Sequence, residues 1–124
     1  MVKEKEFSTQ TLIDNIVEGI QRKKGRDITI INLTDLSSPL CDQFVVCHGD
    51  SNKQVTAIAE SVEEILKEEL NLKTWHKEGY QNSQWVLLDY GYAIVHVFQH
   101  ETREFYRLED LWADGKFIRI EDEY

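Results

Sequence analysis

Gly49-Asp50-Ser51 is the first place along the chain where residue types and spacing could do chemistry. A glycine turn that runs into a helix can cradle a phosphate on the helix's first amide groups. A metal-dependent transfer at such a turn would also need paired acids on the next strand, to hold the ions that bridge a triphosphate. The next strand-forming run, Leu72-Lys73-Thr74-Trp75, carries no acid, Asp89 stands alone between Leu87 and Gly91, and Asp50 would itself repel a phosphate. His96 and His100 are four apart, a spacing that pairs two metal ligands on a helix, yet His96 falls in a strand-forming run and His100 beyond its end. His48 and His76 have no partner that the spacing names, and no Ser-His-Asp or Cys-His set can be assembled. Cys41 and Cys47 match no zinc or redox motif and read as packed thiols in a reduced compartment. These residues point to no catalytic site, no metal site and no cofactor.

The elements that must position them follow from periodicity. Thr9 can cap a helix in which Leu12, Ile13, Ile16, Val17 and Ile20 recur at helical spacing, ending at Arg22-Lys23-Lys24 before Gly25. Ile28-Thr29-Ile30-Ile31 and Phe44-Val45-Val46-Cys47 are short, largely β-branched runs that read as strands. Between them lies a loop with Ser37-Ser38 and the lone Pro39. Ser51 and Gln54 have the form of a capping box. The helix it opens carries an apolar stripe through Val55, Ile58, Ala59, Val62, Ile65, Leu66 and Leu70, with Glu63 and Lys67 one turn apart on its exposed face. A strand returning at Leu72 to His76 would close a crossover and run parallel to the strand before the helix. Trp85 to Asp89 and Ala93 to Phe98, around Tyr90-Gly91, make an antiparallel hairpin. Arg103 to Trp112 can form a short helix ahead of the acids Glu121-Asp122-Glu123. The expected fold is α/β: a mixed β-sheet of about five strands with helices packed mainly on one face. One domain is expected over residues 1–124, with a core of about 9–112 and an acidic tail, 113–124, that frays.

At 124 residues and 41% hydrophobic content, the chain can fill one core without metals or disulfides. Its longest apolar runs fall far short of the roughly 20 residues that cross a bilayer. The Lys/Glu alternation of residues 1–7 has no apolar signal core, so a cytoplasmic location is expected. Acids outnumber bases 23 to 14, giving a net charge of −9. Binding to phosphate backbones depends on Lys and Arg displacing counterions, so bare nucleic acid is not the expected partner and no direct nucleic-acid specificity is expected. A basic protein fits better, steered by long-range attraction; the charge would serve solubility equally well.

The hairpin offers the candidate surface. With a tight turn at Tyr90-Gly91 the register opposes Leu88 to Ala93, Val86 to Val95 and Trp85 to His96. Alternation then puts Val86, Leu88, Ala93, Val95 and Val97 on an aliphatic face suited to lie under helices. Trp85, Leu87, Asp89, Ile94, His96 and Phe98 share the other face. Two outcomes stay open for it: exposure as a recognition surface, or burial under the C-terminal helix through Tyr106, Leu108 and Leu111.

Three stretches together carry a resemblance. They are Asp42-Gln43-Phe44-Val45-Val46 through Gly49, Ser51, Gln54 and Val55; Trp85-Val86-Leu87-Leu88-Asp89-Tyr90-Gly91 through His96-Val97-Phe98; and Arg103-Glu104-Phe105-Tyr106-Arg107-Leu108-Glu109-Asp110-Leu111-Trp112. The chain from about Leu12 to Trp112 resembles the ribosomal silencing factor family, also called iojap-related. The resemblance implies a nucleotidyltransferase-like fold without its catalytic acids. It also implies a translational repressor that binds the large-subunit protein numbered fourteen and blocks joining of the small subunit when nutrients are scarce. Carried over by motif, the docking surface would be Trp85, Leu87, Asp89, Tyr90, His96 and Phe98, with Arg103 and Tyr106 at its edge. Three positions depart from the family pattern: His48, where Ser or Thr is more usual, Asp50, where a small or amide residue is, and Tyr92, often Asp. Other readings that fit are a large-subunit assembly factor using the same surface and, on the Gly49 turn alone, a metal-dependent nucleotidyltransferase. An uncovered aromatic face also leaves room for a homodimer off the ribosome.

Overall fold

The computed structural model describes residues 7–34, 36, 41–122 and 124. In chain order the elements are α1 (Thr9–Arg22), β1 (Arg26–Asn32), β2 (Gln43–Gly49), α2 (Asn52–Leu70), β3 (His76–Glu78), β4 (Trp85–Asp89), β5 (Ala93–Gln99), α3 (His100–Tyr106), α4 (Leu108–Leu111) and β6 (Lys116–Ile120). Among the described residues, six strands form one sheet in the order β3-β4-β5-β2-β1-β6. Only the β2–β5 pairing is parallel; the other four are antiparallel. The expectation of an α/β fold with a mixed sheet holds, with one strand more than the five foreseen.

Three sequence expectations about the elements change. The strand after α2 is not Leu72 to His76 but the three-residue β3, which lies at the sheet edge against β4. It does run parallel to β2, but the sheet neighbour parallel to β2 is β5, three places away in the chain's strand order. The hairpin register is Trp85 with Phe98, Val86 with Val97 and Leu87 with His96, because Tyr90, Gly91 and Tyr92 all belong to the loop. A two-residue slip preserves side-chain parity, so both predicted faces survive it. Finally, the tail does not fray: residues 116–120 form β6, paired along β1 from Ile28 to Asn32. Asp122 then accepts the Asp27 amide at 3.0 Å and the Tyr124 hydroxyl donates to the Gly25 carbonyl.

The first core lies between the sheet and the pair α1/α2. Leu12, Ile16 and Ile20 meet Val55, Ile58 and Val62 over Ile28, Val45, Val86, Leu88, Val95 and Val97, all buried. Gly19 is what lets the helices approach, since a Cβ there would stand 2.9 Å from Val62 Cα. The Ser61 hydroxyl donates to the Gly19 carbonyl at 2.7 Å in that space. The caps differ in detail from the sequence reading. Ser8, not Thr9, caps α1 by accepting the Thr11 amide at 3.0 Å. At α2 Ser51 accepts the Gln54 amide as expected, while Gln54 Oε1 takes the Asp50 amide and its Nε2 reaches the Lys23 and Lys24 carbonyls. Glu63 does not pair with Lys67 here; it accepts from Thr74, Lys77 and Tyr80 and so pins the α2–β3 connection.

A second, smaller core lies on the opposite face. Ile31, Leu33, Cys41, Phe44, Val46, Phe98 and Leu108 form it, with Trp85, Ile94, Trp112 and Phe117 at its margin. The short helices α3 and α4 supply its lid. They meet at Arg107, whose left-handed φ of 50° ends one helix and begins the other.

Candidate functional site

The face left undecided by the sequence is neither bare nor sealed. It is a ramp of aromatic rings that climbs from the second core to solvent. Phe98 is fully buried, and the Trp85 ring lies against it at 4.7 Å between centroids. Tyr106 of α3 packs on Trp85 at 5.1 Å, and Phe105 meets Tyr106 edge-on at 5.0 Å. Exposure rises along this series to 52% at Tyr106 and 78% at Phe105. Such contacts fix ring orientation without removing the outer rings from water. α4 adds Leu111, 76% exposed, while the next residue, Trp112, turns inward onto the Phe44 ring at 5.4 Å.

The expected docking residues therefore separate. Trp85, Leu87 and Asp89 are half-buried, and Tyr106 is open. His96 and Phe98 are buried, the second of the two outcomes left open, which corrects their place in the docking surface: α3, α4 and Trp85 close over them. Trp85 Nε1 donates to His96 Nδ1 at 3.1 Å. The neutral imidazole must then carry its proton on Nε2, which is buried without a hydrogen-bond partner. Phe44 lies edge-on to that ring at 4.8 Å. Burial pushes the His96 pKa down to about 4, so the ring is neutral in ordinary conditions. Tyr90 is corrected more strongly, because it belongs to the first core on the other side of the sheet. There its hydroxyl pairs with the Thr74 hydroxyl at 3.0 Å and burial raises its pKa to about 12. Asp89 turns back into the hairpin and accepts the Gly91 amide at 2.8 Å, which holds the tip at Gly91 φ +82°.

Arg103 is a correction of another kind. It is 7% exposed, and all five of its N–H donors are engaged inside the chain. Nε and one Nη2 bond take Glu109; the other Nη2 bond takes Thr29 Oγ1; Nη1 takes the Asp27 carbonyl and His48 Nδ1. It cannot also hold a partner, and instead fastens α3 to β1, β2 and α4. The cleft above it, about 250 Å³ in volume, is lined by Asp27, His48, His100, Glu109 and Arg119.

Phe105 and Leu111 are the site residues that the sequence reading passed over. Successive helix positions turn by about 100°, so an inward Arg103 puts Phe105, about 200° round, on the outward face, while Tyr106, about 60° from Arg103, lies at the margin against Trp85. The signal was legible only if Arg103 was known to point in, against the usual rule for arginine.

At the Gly49 turn, two of the amides a phosphate would use, those of Asp50 and Gln54, are already taken by Gln54 Oε1 and Ser51 Oγ. Among the described residues no group of three or more His, Cys, Asp or Glu is placed to hold a metal ion. Cys41 and Cys47 sit in different cores, their thiols pushed up by burial to about 11 and about 12. No described helix is long and apolar enough to cross a membrane.

The fold is thus a mixed sheet with α1 and α2 on one face and, on the other, two short helices that leave aromatic side chains exposed. Comparison with known proteins gives the family. Residues 6–124 match the family model described as ribosomal silencing factor during starvation, and the chain belongs to that family. It is 36% identical over 115 residues to the ribosomal silencing factor RsfS of Halalkalibacterium halodurans, covering 93% of this chain and 97% of that one. A crystal structure of a Chromobacterium violaceum protein superimposes with a TM-score of 0.81 at 36% identity, over 86% of this chain and 88% of that one. A mouse protein named for mitochondrial assembly of the ribosomal large subunit is 29% identical over 107 residues, 85% of this chain and 46% of that one.

Proposed function

We propose that the protein represses translation by occupation: it docks on the large ribosomal subunit, at the protein numbered fourteen, and so keeps the small subunit from joining when nutrients are scarce. It acts in the cytoplasm as a single domain and catalyses nothing. The observation that carries this reading is the exposed end of the aromatic ramp, Phe105 and Tyr106 on Trp85, presented by a family member whose net charge of −9 suits a basic ribosomal surface. Trp85, Leu87, Phe105 and Tyr106 are the contact residues in this proposal. Phe98, His96 and Tyr90 support them from within, and Asp89 shapes the hairpin tip.

The test is co-sedimentation with purified large subunits. Phe105→Ala and Trp85→Ala, each verified as folded, should weaken binding by about 2 kcal/mol, roughly 30-fold. Unchanged sedimentation of both variants would remove the site assignment. The mouse relative's name supports a second reading, assembly of the large subunit through the same surface. Preference for immature over mature subunits in the same assay would favour assembly; preference for mature ones, silencing.

A further inference from the structure

The helix that presents the docking aromatics is held by very little. α3 has seven residues and no side-chain cap at its start, and among its described residues only Arg103 is buried. Beside the Tyr106 ring on Trp85, what holds Phe105 and Tyr106 in place is therefore the Arg103 network. One member of that network has a protonation requirement. An arginine is always charged and only donates, so His48 Nδ1, 3.0 Å from Arg103 Nη1, must offer a lone pair. A protonated His48 has none: donor would face donor, and two cations would stand at contact distance.

We propose that Arg103 and His48 form a proton-sensitive latch that holds α3, and with it Phe105 and Tyr106, in the docking position. This rests on the docking reading above and adds its regulation. Arg103 acts as the positioning residue and His48 as the sensor.

The groups around His48 set the sign. From α3, Arg103 and His100 face it, the latter with ring centroids 4.6 Å apart, and both oppose a further positive charge. Asp27 of β1 and Asp50 ahead of α2 favour protonation more weakly. Asp27's carboxylate is 3.5 Å from Arg119 of β6, and Glu109 of α4 is committed to Arg103. Burial first, then Arg103, hold the His48 pKa below its ordinary value. An unlatched, solvated His48 would titrate near the ordinary value of about 6.5. The latch therefore holds fully above that pH and is loosened progressively as the pH falls below it.

His48→Asn tests this, because Oδ1 of Asn takes the place of Nδ1 and accepts from Arg103 at any pH. Affinity for large subunits is measured at pH 7.5 and pH 5.5 for both chains. The wild type should lose several-fold more affinity on acidification than the variant, because only its latch is opposed by protonation. Equal losses would overturn the latch. Amide hydrogen exchange of residues 100–112 in the free proteins, corrected for intrinsic rates, is the second readout. Protection should fall at pH 5.5 in the wild type and not in His48→Asn; the same fall in both sinks the proposal whatever the binding data. If the wild type binds subunits at neither pH yet loosens selectively, the docking reading fails and the latch stands. Should His48→Asn not fold, His48→Gln supplies a second acceptor that cannot titrate.

Discussion

At the scale of single residues, two buried polar groups, His96 and Arg103, decide how the site responds to its surroundings. His96 is 4% exposed and neutral because burial lowers its pKa to about 4. In the unfolded chain it titrates near 6.5, so between these values the unfolded state binds more protons than the native one. Stability from this group is complete above about pH 6.5 and is lost as pH falls toward 4, by about 3 kcal/mol in all. Urea titrations at pH 6.5 and 4.5, compared with His96→Phe, should show a steeper acid loss in the wild type; parallel behaviour would mean His96 is not buried as described. Arg103 makes the complementary case. Arg103→Met removes all five donors and leaves Glu109, His48 and Thr29 without that partner, which should cost about 3 kcal/mol. Arg103→Lys should recover only part, since one ammonium cannot reproduce the fork to Glu109. Thermal or urea unfolding of the two variants checks both values.

At the scale of elements, the hairpin and the short helix that lies over it respond differently to the same substitution. Phe98→Ala opens a cavity in the second core and should destabilise by about 3–5 kcal/mol, whereas Phe105→Ala, already solvated, should change stability by less than about 0.5 kcal/mol. Equal effects measured by denaturant unfolding would mean that α3 packs differently. α1, α2, β2 and the hairpin strands were legible because each shows one clear period, as in Leu12-Ile16-Ile20 and Val55-Ile58-Val62 at helical spacing and Val86-Leu88 and Val95-Val97 at strand spacing; the single helix expected from Arg103 to Trp112 is instead two, broken at the left-handed Arg107. β6 was not. Lys116, Arg119, Glu121 and Asp122 make its neighbourhood look like a solvated tail, and only the long-range partners Ile28 and Ile30 give Ile120 and Ile118 a reason to be in a strand. The docking face was half legible for a similar reason. Alternation placed Trp85, His96 and Phe98 together, but which of them α3 would cover depended on Arg103 turning inward toward Glu109 and His48, a tertiary fact with no local signature.

At the scale of the whole molecule, charge and aromatic surface should govern different parts of an encounter with the ribosome. The −9 net charge is spread over the chain and acts at distances beyond contact, so it sets how fast a basic partner is found. The Debye length shrinks from about 10 Å at 0.1 M salt to about 3 Å at 1 M, so that steering is lost as salt rises. Phe105, Tyr106 and Trp85 act only after contact, by burying apolar area, and so set how slowly the complex separates. Surface-immobilised large subunits allow both rates to be read. Between 0.1 and 0.5 M salt the wild-type association rate should fall by about tenfold while dissociation changes little. Phe105→Ala should show the same salt-dependent association as the wild type with dissociation faster by roughly tenfold or more. A variant that instead slows association and leaves dissociation alone would place Phe105 outside the contact. The aromatic ramp would then be a fold-stabilising lid, and the partner would have to be held by charge.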